Sequence, residues 1–253
     1  MGLLRGAWEL LAEAIFPANI YCISCGSMIT RDRAYSLCDK CMKDIHWITG
    51  RSCSKCGKAL NDDYRGSTCY SCMVREHRFV RGISCMTYGL LERQMILDLK
   101  YNGKGYLGTV FGEIMADRLA VEGLETDLII PVPVHKLRKK KRGYNQTQIM
   151  AAQLSRISGI PMRAHALIRS RNTALLRSMN PMERESAMKG AFLVPDNEVK
   201  YIQGQRVLLI DDIITTGATL DACTDALLGR GAECVYVMTL AAGGNRKPSE
   251  LQD

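Results

Sequence analysis

Two adjacent acids, Asp211 and Asp212, precede a run of small or hydroxyl-bearing residues, Thr215, Thr216, Gly217, Ala218 and Thr219. The acids end an apolar strand expected over 206–212, and a helix is expected over 220–228. The intervening loop therefore brings its backbone N–H groups together at a helix N-terminus, where an anion is favoured. Gly217 and Ala218 keep side chains out of the way of an approaching phosphate, while the three threonines add hydroxyl donors. The carboxylates are acceptors and cannot ligate phosphate themselves. They suit sugar hydroxyls or a hydrated magnesium ion. Together the two kinds of group fit a phosphorylated sugar. The plainer reading is a strand ended by solvated acids and followed by a capped helix.

A second chemistry is written in cysteine. Of the 11 cysteines, eight form Cys-x-x-Cys pairs: Cys22 with Cys25, Cys38 with Cys41, Cys53 with Cys56, and Cys69 with Cys72. Members of the second four each lie 31 residues after their counterparts, and Gly26/Gly57, Asp32/Asp63 and Ser36/Ser67 repeat with them. Thiolates at i and i+3 on a tight turn grip one tetrahedral ion, and two such turns complete a closed four-sulfur zinc site. Two structural zinc ions are expected. The duplication favours sequential sites over a cross-braced arrangement in which the pairs alternate. His46 and His77 occupy equivalent repeat positions, but neither is needed as a ligand. Cys85, Cys223 and Cys234 sit singly in apolar stretches and read as core residues.

The elements that must position these groups follow from hydrophobic patterning. Strand signals fall over 79–88, 127–134, 206–212 and 234–241; helical spacing falls over 90–99, 107–121, 146–157 and 220–228. Strand, crossover helix, strand implies an α/β fold with a parallel sheet flanked by helices. The chain divides into an amphipathic helix (1–17), a Cys-rich zinc module (18–78), the α/β domain (79–243) and a polar tail (244–253). Hydrophobic residues make up 47% of the 253 residues and charged residues 24%, an ordinary globular composition; the net charge of +8 favours polyanionic ligands without choosing among them. Glu9 and Glu13 interrupt the apolar run near the start, no cleavage site follows, and no apolar stretch is long enough to span a bilayer. A reducing cytoplasmic compartment is the expectation, which also argues against a disulfide scaffold.

The acid pair and Thr-Thr-Gly-Ala-Thr resemble the binding motif for 5-phosphoribosyl-1-pyrophosphate (PRPP) in type I phosphoribosyltransferases. Pro131-Val132-Pro133-Val134, the basic run to Arg142, and Gly143-Tyr144-Asn145-Gln146 resemble the pattern of the ComF (late competence) family, as do Lys100-Tyr101, Arg171-Asn172-Thr173 and Lys189-Gly190-Ala191-Phe192. The N-terminal double zinc ribbon is similar too, so the resemblance covers nearly the whole chain. Leu176 stands where the family tends to have Gln, and Ala187 where it has Asn.

The resemblance implies a type I phosphoribosyltransferase fold. Asp211 and Asp212 would contact the ribose hydroxyls and carry the catalytic role. Thr215, Thr216, Gly217, Ala218 and Thr219 would hold the 5′-phosphate. Lys100, Val132, Pro133, Arg142, Gly143, Asn145 and Gln146 would meet pyrophosphate. Magnesium would accompany PRPP, and an unidentified acceptor would receive the phosphoribosyl group as pyrophosphate leaves. The alternative is a non-enzymatic protein that binds single-stranded DNA and uses PRPP as an effector. Lys136, Arg138, Lys139, Lys140 and Lys141, read as a cationic loop, are the nucleic-acid candidates, although a charge run is commonly a solvated face. The family's association with natural transformation implies a DNA-uptake helicase or other competence proteins as partners, and related folds commonly form homodimers.

Overall fold

The structure, a computed structural model, describes residues 19–170 and 190–244. The helix expected over 1–17, the Arg171 block with Leu176 and Ala187, and the tail beyond Gly244 lie outside the described residues. Two compact units divide between Ile45 and His46.

The first unit is a small cysteine knuckle. An antiparallel bridge joins Tyr21 to Met28 around Cys22 and Cys25, and helix α1 (Asp39–Asp44) starts at Cys38, whose sulfur accepts the N–H of Cys41. A thiolate at an N-cap satisfies one of the helix's free donors.

The second unit opens with the repeated knuckle, bridged from Ser52 to Ala59 and followed by helix α2 (Tyr70–Val74). Strand β1 (Gly82–Thr87) enters the main sheet. Helices α3 (Leu90–Tyr101) and α4 (Leu107–Glu122) follow, then β2 (Leu128–Pro131), α5 (Lys136–Arg142) and α6 (Gln146–Ser158). A short antiparallel pair, β3 (Ile168–Arg169) and β4 (Phe192–Leu193), precedes α7 (Asp196–Ile202), β5 (Arg206–Ile214), α8 (Ala218–Leu228) and β6 (Cys234–Ala242). The main sheet has the order β1-β6-β5-β2 and is parallel throughout.

Central position explains the composition of β5. Val207, Leu208, Leu209 and Ile210 are all fully buried, because both faces of a parallel sheet are covered. Each such side chain contributes about 1.5–3 kcal/mol of burial. On one side α4 packs against α6 at short range. A Cβ on Gly112 would lie 2.6 Å from the Met150 carbonyl oxygen, so only glycine permits that approach.

The second knuckle shares the core of the sheet. Cys53, Cys56, Leu60, Cys69 and Phe79 belong to one buried cluster with Val207, Leu209, Val235 and Val237. Gly57 has φ 74°, and a Cβ there would fall 2.7–2.8 Å from the backbone of Gly82, Ile83 and Ser84. The cysteine turn is thus pressed directly onto β1. Cys85 and Cys223 are buried as expected of core thiols, whereas Cys234, the first residue of the interior strand β6, is only half-buried.

Candidate functional site

β5 does not end at the acids. It continues to Ile214, because β6 runs beside it and pairs Asp211 with Thr239, Ile213 with Ala241 and Ile214 with Ala242. Asp211 and Asp212 therefore sit within the last part of the strand, on opposite faces. The carboxyl ends of parallel strands are where open α/β sheets bind ligands.

Asp212 is buried and doubly held: Lys100 Nζ donates to Oδ1 at 2.7 Å and Gln146 Nε2 to Oδ2 at 2.6 Å. Asp211 Oδ1 accepts the N–H of Asp212 at 2.8 Å. Its residue surface is partly open, but the surrounding sheet denies its carboxylate bulk hydration. That burial, and then the charge of Asp212, raise its pKa from 3.8 to about 7; the Asp212 N–H, Lys100 and Arg169 oppose the rise.

The 215–219 loop turns at Gly217, which is buried, has φ 78° and caps α8. Thr215 is exposed; Thr216, Ala218 and Thr219 are half-buried around the turn. The Thr215 carbonyl accepts a 2.7 Å hydrogen bond from Lys58 Nζ, a residue of the second cysteine knuckle that sequence reasoning did not single out. Only its position after a Cys-x-x-Cys-Gly turn could have drawn notice.

At the end of β2, the N–H of Val132 donates to the Ile210 carbonyl at 2.9 Å, which sets Val132 and half-buried Pro133 beside β5. The Val132 carbonyl accepts Thr147 Oγ1 at 2.6 Å and Asn145 Nδ2 at 3.3 Å. Arg142 donates to Gln146 Oε1 and lies 5.4 Å from the centre of the Tyr101 ring, while the Tyr144 hydroxyl donates to the Leu99 carbonyl. Lys100, Arg142 and Gln146 therefore converge on Asp212, whereas Asn145 serves the Val132 turn.

The cationic segment is a helix, not the loop expected from its charge. Its lysines and arginines are straight-chain residues of good helix propensity. His135 Nδ1 accepts the N–H of Leu137 at the start, left-handed Gly143 (φ 87°) ends the turn, and the positive charge gathers at the negative end of the helix. Lys136, Arg138, Lys139, Lys140 and Lys141 are exposed, and no carboxylate pairs with them among the described residues.

The eight paired cysteines form two sequential groups, Cys22/Cys25/Cys38/Cys41 and Cys53/Cys56/Cys69/Cys72, with the sulfurs of each group within 4.8 Å of one another. Zinc fits both. Tetrahedral Zn–S bonds of about 2.3 Å place sulfurs about 3.8 Å apart, and Cys25–Cys38 and Cys56–Cys69 stand at 3.7 and 3.6 Å. Backbone N–H groups of Cys38 and Cys69 also donate to Cys22 and Cys53 Sγ, as thiolates require. Both sets are closed four-sulfur sites, which makes the ions structural. Neither His46, paired with Glu92, nor His77, paired with Asp221, is a ligand.

Comparison with known proteins gives the family. Residues 106–252 match the phosphoribosyl transferase domain family and residues 11–73 the double zinc ribbon domain. Among relatives, Competence protein F of Haemophilus influenzae is 30% identical over 88% of this chain and 97% of that protein. Competence protein ComFC of Bacillus subtilis is 24% identical over 84% of this chain and 90% of that protein. DNA utilization protein YhgH of Escherichia coli is 26% identical over 74% and 82%. A solved B. subtilis glutamine PRPP amidotransferase, complexed with ADP and GMP, superposes with a TM-score of 0.36 at 22% identity; the match covers 52% of this chain and about a quarter, 25%, of that one. No helix among the described residues is long and apolar enough to cross a membrane. The chain belongs to the phosphoribosyl transferase domain family, in its ComF branch, where that domain follows an N-terminal double zinc ribbon.

Proposed function

We propose that the chain binds PRPP at the carboxyl end of β5 and transfers its phosphoribosyl group to an acceptor nitrogen. The observation that carries this reading is the convergence of Lys100, Gln146 and, through Gln146, Arg142 on Asp212, next to the 215–219 loop. Cations and acceptors are thereby set side by side, as a ligand with anionic ends and a neutral ribose between them requires.

In this reading the loop N–H groups and threonine hydroxyls hold the 5′-phosphate, and Asp211 and Asp212 accept from the ribose hydroxyls. Lys100 and Arg142 face the pyrophosphate, with the Val132–Pro133 turn closing that side. The bond from C1 to the pyrophosphate oxygen breaks with its electron pair on the oxygen. The acceptor nitrogen forms the new bond to C1 and loses a proton. Positive charge grows on the ribose in between, and the two carboxylates stabilise it electrostatically. Asp211 and Asp212 would hold magnesium, which would supply charge neutralisation on the pyrophosphate. Incubation with PRPP and magnesium, with a nucleobase, an ammonia source or DNA added, should release pyrophosphate in an acceptor-dependent way. No release with any acceptor sinks the enzymatic reading.

A second reading rests on α5. Five exposed cations without carboxylate partners among the described residues are a surface for a polyanion, and relatives bear the names competence protein and DNA utilization protein. Single-stranded DNA would lie along this helix, with PRPP acting as an effector and no acceptor consumed. This reading would place the protein in the cytoplasm among competence proteins such as a DNA-uptake helicase. Self-association as a homodimer is compatible with either role.

A further inference from the structure

The Lys58 side chain is buried, with 5% of the residue exposed, and no carboxylate pairs with it among the described residues. A desolvated ammonium is costly unless charge and hydrogen bonds offset it, and the thiolates of its own knuckle, Cys56 two residues before it, carry negative charge. Its one hydrogen bond among the described residues goes to the Thr215 carbonyl at 2.7 Å, not to a sulfur of its own knuckle. In a trans peptide the N–H points opposite to the C=O. Holding the Thr215 carbonyl on one side therefore turns the N–H of Thr216 to the other, away from Lys58.

The same segment of chain braces the far end of the loop. A Cβ on Gly217 would lie 2.5 Å from His77 Cε1, so the imidazole sits directly under the turn. His77 Nδ1 is 3.0 Å from Asp221 Oδ2, and the N–H of Arg78 donates to Asp221 Oδ1 at 3.1 Å, in the first turn of α8. The ring also stacks on buried Phe79, with centroids 4.8 Å apart.

We propose that Lys58 is a positioning residue of the sugar-phosphate site: from the second zinc knuckle its ammonium holds the 215–219 loop open to a 5′-phosphate ester. This rests on the sugar-phosphate reading above. It also assigns the second zinc knuckle a role in ligand recognition.

The test compares wild type with Lys58→Met, which removes charge and donor at similar volume, by calorimetric titration with ribose 5-phosphate and, separately, with magnesium pyrophosphate. Zinc content and far-UV circular dichroism report folding; if Lys58→Met does not fold, Lys58→Gln is measured against the same criteria. Loss of a hydrogen bond tied to a charged group should weaken ribose 5-phosphate at least about tenfold while magnesium pyrophosphate changes by no more than about twofold. Unchanged ribose 5-phosphate affinity overturns the proposal, and so does an equal loss for both ligands, which marks a merely structural lysine. A wild type that binds neither ligand nor PRPP refutes the sugar-phosphate reading itself, a distinguishable failure that removes this proposal with it.

Discussion

Asp211 makes the site a burden on the fold, and that burden can be measured. Its proton is held to about pH 7 in the folded protein, against 3.8 for the free side chain, first because the carboxylate is buried and then because Asp212 is charged beside it. The folded state thus binds this proton more tightly than the unfolded chain. Stability falls as pH rises from 3.8 to about 7 and levels off above. The full displacement corresponds to about 4 kcal/mol, less than half of which acts by pH 5. Asp211→Asn cannot ionise, and its amide oxygen can still accept the N–H of Asp212. The stability of the variant relative to wild type should therefore grow by about 2–3 kcal/mol between pH 5 and pH 8, or about 5–10 °C in relative melting temperature for a domain of this size. Differential scanning fluorimetry of both proteins across that range reads it, and zinc loss at low pH cancels in the difference. A melting difference independent of pH refutes the buried-carboxyl argument. The same variant should bind PRPP more weakly and lack the rise in affinity expected of wild type as Asp211 ionises, a trade of stability for function.

Removing both acceptors, Asp211→Asn with Asp212→Asn, should weaken PRPP binding at least about 100-fold, since hydrogen bonds to charged groups contribute about 1.5–3 kcal/mol each; calorimetry checks it, and unchanged affinity sinks the assignment. Elemental analysis should find two zinc ions per chain, one for each group of four cysteines. On chelation, hydrogen exchange should increase not only within both knuckles but also in β1, because Cys53, Cys56 and Cys69 share a core with the sheet; unaltered exchange in β1 contradicts that coupling. If α5 carries single-stranded DNA, Lys139, Lys140 and Lys141 replaced together by Gln should make the log-log salt dependence of binding about 2 units shallower, with little change in sequence preference. A triple variant that binds like wild type at every salt concentration excludes the helix as the DNA site.

Much of this was legible along the chain because it depends on local chemistry. Cysteine pairs at i and i+3 can be used by a metal only on tight turns, so the two zinc sites follow from spacing, while duplication only favoured the sequential grouping that the structure shows. The acid pair before a glycine-bearing loop carries its strand-to-helix geometry within a dozen or so neighbouring residues, and the alternation of strands and helices forces a parallel sheet. The cationic segment misled because charge density alone reads as a loop. Its propensity, the His135 cap and Gly143 make a helix instead. The continuation of β5 past its acids was likewise invisible, since it depends on Ala241 and Ala242 of β6 lying alongside. Tertiary structure alone decided the long-range partnerships. Lys58 reaches Thr215 across 157 positions, His77 reaches Asp221 across 144, and Lys100 reaches Asp212 across 112. No periodicity encodes such pairs, because each exists only once the sheet has brought distant segments to the same carboxyl end. Hence the composition of the two knuckles announces equivalent metal sites, while only the tertiary structure packs the second one on β1 and ties it to the 215–219 loop through Lys58.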